Sequence, residues 1–136
     1  MTQAATFISS TYTPGAPDFA AVIDEDEQLT VMARVRGPSG GFVLRAHLSN
    51  VYLYVRNRST LAVTGPVTLG TSVVVDSLSN DERWTEDGAG FNFELVLDGE
   101  TYFSSPGGYD IRVRFDESSG EEYSLRGFVS VRGNIS

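Results

Sequence analysis

Apolar and polar side chains alternate along this chain in short, strict runs. In 106–131 the residues Tyr109, Ile111, Val113 and Phe115 share one face, and Asp110, Arg112, Arg114 and Asp116 share the other. After a polar turn at Ser118, Ser119 and Gly120 the run resumes with Tyr123, Leu125, Val129 and Val131, so the spacing predicts a half-buried hairpin. A two-stranded ribbon is not stable alone in water, and further strands must supply its core. Residues 28–36 alternate Leu29, Val31, Ala33 and Val35 against Thr30, Met32, Arg34 and Arg36, and the glycine-rich 37–41 turns the chain. Strands are predicted over 42–48, over 51–56 with Tyr52 and Tyr54 opposite Val51, Leu53 and Val55, over 61–64, 67–69 and 71–78, and over 91–97.

Eight or so strands with no helix-length period predict an all-β domain, and a β-sandwich within that class. The one helical turn expected lies near 79–84. The order near the C-terminus narrows the sandwich to an immunoglobulin-like antiparallel one. An apolar strand at 93–97, a polar crossing and Pro106-Gly107-Gly108 lead to Tyr109 at the head of the next strand. A tyrosine so placed can bond its hydroxyl to backbone a few residues upstream and pin the crossover between sheets. A jelly roll or barrel uses the same local signals and remains the alternative. Residues 1–20 show no sustained period, and Pro14 and Pro17 keep them out of a helix or central strand. They read as an extended N-terminal arm, either frayed or ordered against a neighbour through Phe7, Ile8 and Tyr12, with a single sandwich domain over 21–136.

Composition narrows the function more than the fold. At 136 residues the chain can bury roughly two-thirds of its unfolded surface. It has no cysteine, which removes disulfides, thiolate metal sites and cysteine nucleophiles together. The net charge of -8 speaks against nucleic acid or an anionic membrane as partner. No run reaches the about 20 apolar residues needed to span a bilayer, and no signal-peptide pattern opens the chain. All ten basic residues are arginine, and most sit in strand-like segments beside valine or leucine, while the acids cluster in turns. Sheets with arginine-bearing polar faces and acidic rims follow, and arginine is the cation best suited to an interface. A coding bias toward arginine over lysine would leave the same pattern.

Candidate chemistry is sparse. His47 is the one histidine and no neighbour supplies a partner for general-base work, and no serine stands in a nucleophile elbow. The glycines at 37–41, 88–90 and 107–108 sit between strands, where tight turns account for them. No catalytic residue and no cofactor is therefore expected. The acid clusters are the one metal candidate: Asp24 and Asp26 in one loop, Asp81 and Asp87 in another, are oxygen donors of the type calcium takes, though neither loop has calcium-loop spacing. Solvated loop carboxylates are the simpler account of them. Trp84, the sole tryptophan, either closes the core with the phenylalanines at 91 and 93, where Asn92 would bond a turn backbone, or forms a ligand platform with Tyr102.

The order R-W-T-x-D-G-x-G-F-N-F, then G-x-Y-D-I-R-V-R-F, a polar turn, Y-S-L and V-S-V resembles small immunoglobulin-like proteins of tailed phages and prophages, over roughly 28–133. The resemblance implies a non-enzymatic structural virion protein: capsid decoration or cement, head–tail joining, or a tail accessory. It implies synthesis in the host cytoplasm, a place in the virion, and partners that are other virion proteins or copies of itself in a homo-oligomer or lattice. Phe7, Ile8, Tyr12, Arg112 and Arg114 are the interface candidates on this reading. The alternative is a carbohydrate-binding or adhesion module working through Trp84 and Tyr102.

Overall fold

The computed structural model describes residues 4–12, 19–37, 41–79 and 91–133. Among them the strands run β1 (Ala4–Tyr12), β2 (Phe19–Asp24), β3 (Gln28–Val35), β4 (Leu48–Asn57), β5 (Val63–Thr68), β6 (Val74–Ser79), β7 (Phe91–Leu97), β8 (Gly107–Glu117) and β9 (Glu122–Arg132). One helical turn, α1 (Gly99–Tyr102), joins β7 to β8. A four-stranded sheet in the order β1-β3-β7-β6 packs on a five-stranded sheet in the order β2-β9-β8-β4-β5. The chain is an all-β sandwich.

The sandwich forms because alternation delivers one apolar face per strand. Tyr109, Ile111, Val113 and Phe115 of β8 turn inward with Tyr123, Leu125, Val129 and Val131 of β9 and Val51, Leu53 and Val55 of β4. They meet Leu29, Val31 and Val35 of β3 and Phe93, Leu95 and Leu97 of β7. Phe93 reaches across the sheets to Phe115, ring centres 5.6 Å apart and edge to face, and Tyr123 stacks on Phe115 at 5.5 Å. Burial of each such side chain contributes about 1.5–3 kcal/mol against the entropy of ordering the chain.

Several sequence expectations change, among them that 61–64 and 67–69 merge into one strand, β5, and that 71–73 is a 3-10 turn. The segment 1–20 read as an arm contains β1 and the start of β2, each paired in parallel with a strand of its own chain, β1 with β3 and β2 with β9. Ile23 is fully buried. Apolar Ala20 and Val22 face outward while Ile23 faces the core, so 19–24 shows no apolar–polar alternation to signal a strand. Residues 42–48 are not a strand: Phe42 makes an isolated bridge to Arg36, and 45–47 form a 3-10 turn. That turn is held by the Arg45 guanidinium, whose Nε donates to the carbonyl of Val74 at 2.7 Å. Ser79 ends a strand instead of opening a helix, and the rest of that expected turn lies outside the described residues. Finally, β3 has no polar face, since Thr30, Met32 and Arg34 are buried as well. It is flanked by β1 and β7, and a strand inside a sheet can be covered on both sides.

The crossover from β7 to β8 is pinned as the tyrosine at its head suggested. The Tyr109 hydroxyl donates to the carbonyl of Ser105 at 2.8 Å and lies 2.8 Å from the Ser105 hydroxyl. Its ring packs edge to face on the buried Phe103 at 5.3 Å. Tyr109→Phe keeps the ring and removes the hydroxyl, so urea unfolding should show a loss of about 1 kcal/mol. An unchanged midpoint would mean that the hydroxyl holds nothing that water does not hold equally well.

Candidate functional site

The outer face of the five-stranded sheet gathers most of the chain's unusual side chains. The alternation that buries Val51, Leu53 and Val55 turns Tyr52, Tyr54 and Arg56 outward, and β8 likewise presents Asp110, Arg112, Arg114 and Asp116. The antiparallel register sets Tyr52 opposite Arg114 and Tyr54 opposite Arg112. Cross-strand partners touch on a pleated surface, and arginine stacks on aromatic faces. The Arg114 guanidinium sits 4.8 Å from the Tyr52 ring centre and that of Arg112 sits 5.4 Å from Tyr54. Arg114 also donates to the Tyr54 hydroxyl at 3.0 Å and forks onto the Asp116 carboxylate at 2.9 and 3.2 Å. Its proton is held more tightly than usual, first by that bond to Asp116.

A second cluster closes the same face toward the β4–β5 turn. Asp110 accepts from Arg58 at 2.7 and 2.9 Å through one oxygen and from Arg56 at 2.8 and 3.3 Å through the other. The bond from Arg58, ahead of that from Arg56, holds the Asp110 carboxyl below its ordinary range. Exposed pairs of this kind fix orientation more than they stabilise. Arg58 also lies over the Phe128 ring at 4.2 Å. Between the two clusters a cleft of about 370 Å³ is lined by Tyr54, Arg56, Val63, Asp110, Arg112 and Arg126 among others. The sequence had singled out Arg112 and Arg114 but not Tyr52, Tyr54, Arg56 or Arg126. Alternation in 51–56 and 109–116 shows that each set faces outward; the register that joins them is a tertiary fact.

The remaining candidates are placed as follows. Phe7, Ile8 and Tyr12 occupy β1 positions opposite Val31, Met32 and Val35 of β3. Trp84, Asp81 and Asp87 lie outside the described residues. Tyr102 is partly buried against the core, 6.4 Å from the Phe103 ring, beside a groove of about 180 Å³ shared with Asn57, Ser104 and Ser105. Asp24 is committed to Arg132 at 3.0 Å, and the amide of Asp26 donates to the carbonyl of Phe103 at 3.0 Å. Among the described residues no three candidate metal ligands gather. His47 is exposed in the 3-10 turn, not in a strand, and its carbonyl accepts from the amide of Ser118 at 2.9 Å.

Asn92 and Tyr123 serve the fold. Asn92 is buried and its side chain bonds the backbone on either side of the 36–42 turn, as the sequence suggested: the amide of Val35 donates to Oδ1, and Nδ2 donates to the carbonyls of Val35 and Val43. Tyr123 donates to Glu117 at 2.9 Å, and burial first, then that bond, raises its pKa well above the usual tyrosine value. An unfolded tyrosine ionises near pH 10 while folded Tyr123 keeps its proton, so stability is full below about pH 10 and falls as pH rises beyond it. Tyr123→Phe should flatten that alkaline fall; equal slopes for both proteins between pH 9 and 11 would contradict it.

No family model matches the chain, and no curated protein is significantly similar to it.

Proposed function

We propose that this protein is a non-enzymatic structural component of a tailed-phage virion that works by protein–protein association. The observation that carries the association is the outer face of the five-stranded sheet. Five of the ten arginines, Arg56, Arg58, Arg112, Arg114 and Arg126, gather there with Tyr52, Tyr54 and Phe128 on a chain of net charge -8. Arginine and aromatic side chains are the residues enriched at interface centres. Stacking and ion pairs already hold several of them in place, which lowers the entropy lost on docking.

The virion assignment is supported by the sequence resemblance and by the strand order. Reading β2 to β9 as A, B, C, C', D, E, F and G supports an immunoglobulin-like sandwich, with β2 beside β9 and the Tyr109 hydroxyl bonded to Ser105 between β7 and β8. The edge strand β1 departs from that pattern, because it runs parallel to β3.

The test is the composition of particles. Mass spectrometry of purified virions from the phage gene set that encodes this chain should find it in many copies per particle. The double variant Arg112→Glu, Arg114→Glu should fold, yet be depleted from particles at least tenfold. Absence of the unaltered chain from purified particles would reject the assignment.

A further inference from the structure

We propose that the cleft between Tyr54, Arg112 and Arg126 docks an acidic polypeptide segment of a partner protein, its carboxylates received by the two arginines. The inference rests on the association reading and specifies the partner.

The β8–β9 register sets Arg112 directly opposite Arg126. Like charges facing each other across a ladder destabilise it, and such a conflict persists where another requirement outweighs it. A bound carboxylate supplies the missing countercharge and accepts the short, charge-assisted bonds that guanidinium forks make. The donors are available. Arg112 uses only Nε, on the Ser124 hydroxyl at 3.0 Å, and Arg126 has no hydrogen bond or ion pair among the described residues. Asp110 lines the same cleft but is already held by Arg56 and Arg58.

Several of the chain's own carboxylates are already engaged among the described residues. Asp24, Asp98, Asp116 and Glu117 are engaged by Arg132, by the start of α1, by Arg114 and by Tyr123 respectively. Two copies at -8 each also repel at long range. A different protein with an acidic stretch fits better. Val63, which lines the cleft, is 56% exposed, an apolar rim that a polypeptide can meet with its own apolar side chain. A polyuronate offers carboxylates without such a group, so the peptide is the occupant favoured.

Fluorescence anisotropy with a labelled octapeptide of seven glutamates around one leucine tests this. Binding should appear at low salt and weaken as salt screens the charges. It should fall at least tenfold in Arg126→Ala, whose exposed side chain has no partner to lose among the described residues, and in Arg112→Ala, with melting temperatures close to that of the unaltered protein. Arg36→Ala, on the other sheet, should bind as before. The lysine counterpart of the peptide should not bind. No glutamate-peptide binding, equal binding by Arg126→Ala, or equal binding of the lysine peptide would overturn the proposal. Tighter binding of hexagalacturonate than of the peptide would overturn it in favour of an acidic saccharide. Loss of peptide binding with particle incorporation intact would sink this cleft assignment alone. Peptide binding by a chain absent from particles would support the cleft and reject the virion reading.

Discussion

Asn92→Leu is expected to lower the unfolding free energy by about 4 kcal/mol. Asn92 is 1% exposed, and its side-chain amide bonds three backbone groups, the amide and carbonyl of Val35 and the carbonyl of Val43. Leucine fills the space and can make none of these bonds. The carbonyl of Val35 keeps a second donor, the amide of Val43 at 3.0 Å. The amide of Val35 and the carbonyl of Val43 lose the partner that Asn92 supplied, each at about 1–3 kcal/mol when no other group or water takes its place. Thermal unfolding should fall by about 15 °C at this chain length. Asn92→Asp gives an independent check. Its carboxylate can accept from Val35 but cannot donate to Val43 unless protonated, so burial raises its pKa and its stability should rise as pH drops through the acid range. A Leu variant within about 1 kcal/mol of the unaltered protein would show that water reaches and satisfies these groups.

Gly99→Val should cost about 3 kcal/mol by overpacking. Gly99 is buried at the start of α1, and a β-carbon there would overlap the main chain of Asp26 and Glu27. Backbone cannot swing aside as the tip of a long side chain can, so the turn between β2 and β3 must separate from α1. That separation would break the bond from the amide of Asp26 to the carbonyl of Phe103 and loosen the fully buried Phe103 ring against Tyr109. Gly41→Ala is the matched control, since its β-carbon would meet nothing within 4 Å. Equal melting temperatures for Gly99→Val and Gly41→Ala would refute the close approach.

Both residues show how differently structural roles register in a sequence. Asn92 stood out as a polar residue between two phenylalanines, and a bond to a turn backbone was its natural use. Gly99 carried no comparable signal, because the backbone that crowds it lies more than seventy residues away. The same division runs through the candidate site. Arg112 and Arg114 were legible as outward-facing cations on a strand with a buried face. Their aromatic partners were not, although Tyr52 and Tyr54 were already read as facing away from Val51, Leu53 and Val55. A period of two assigns a face to each strand; it carries no information on which strands lie side by side.

By itself the sequence determined the all-β class, the positions of most strands, the inward set of the β8–β9 hairpin, and the tyrosine that pins its entry. Each of these follows from local alternation or from turn chemistry within a few residues. The tertiary structure alone decided that 4–12 and 19–24 are sheet strands, that β3 is buried on both faces, and that Arg112 stands between Tyr54 and Arg126. Those facts depend on hydrogen-bonded registers between segments remote in the chain, and register is fixed by the packing of the whole core.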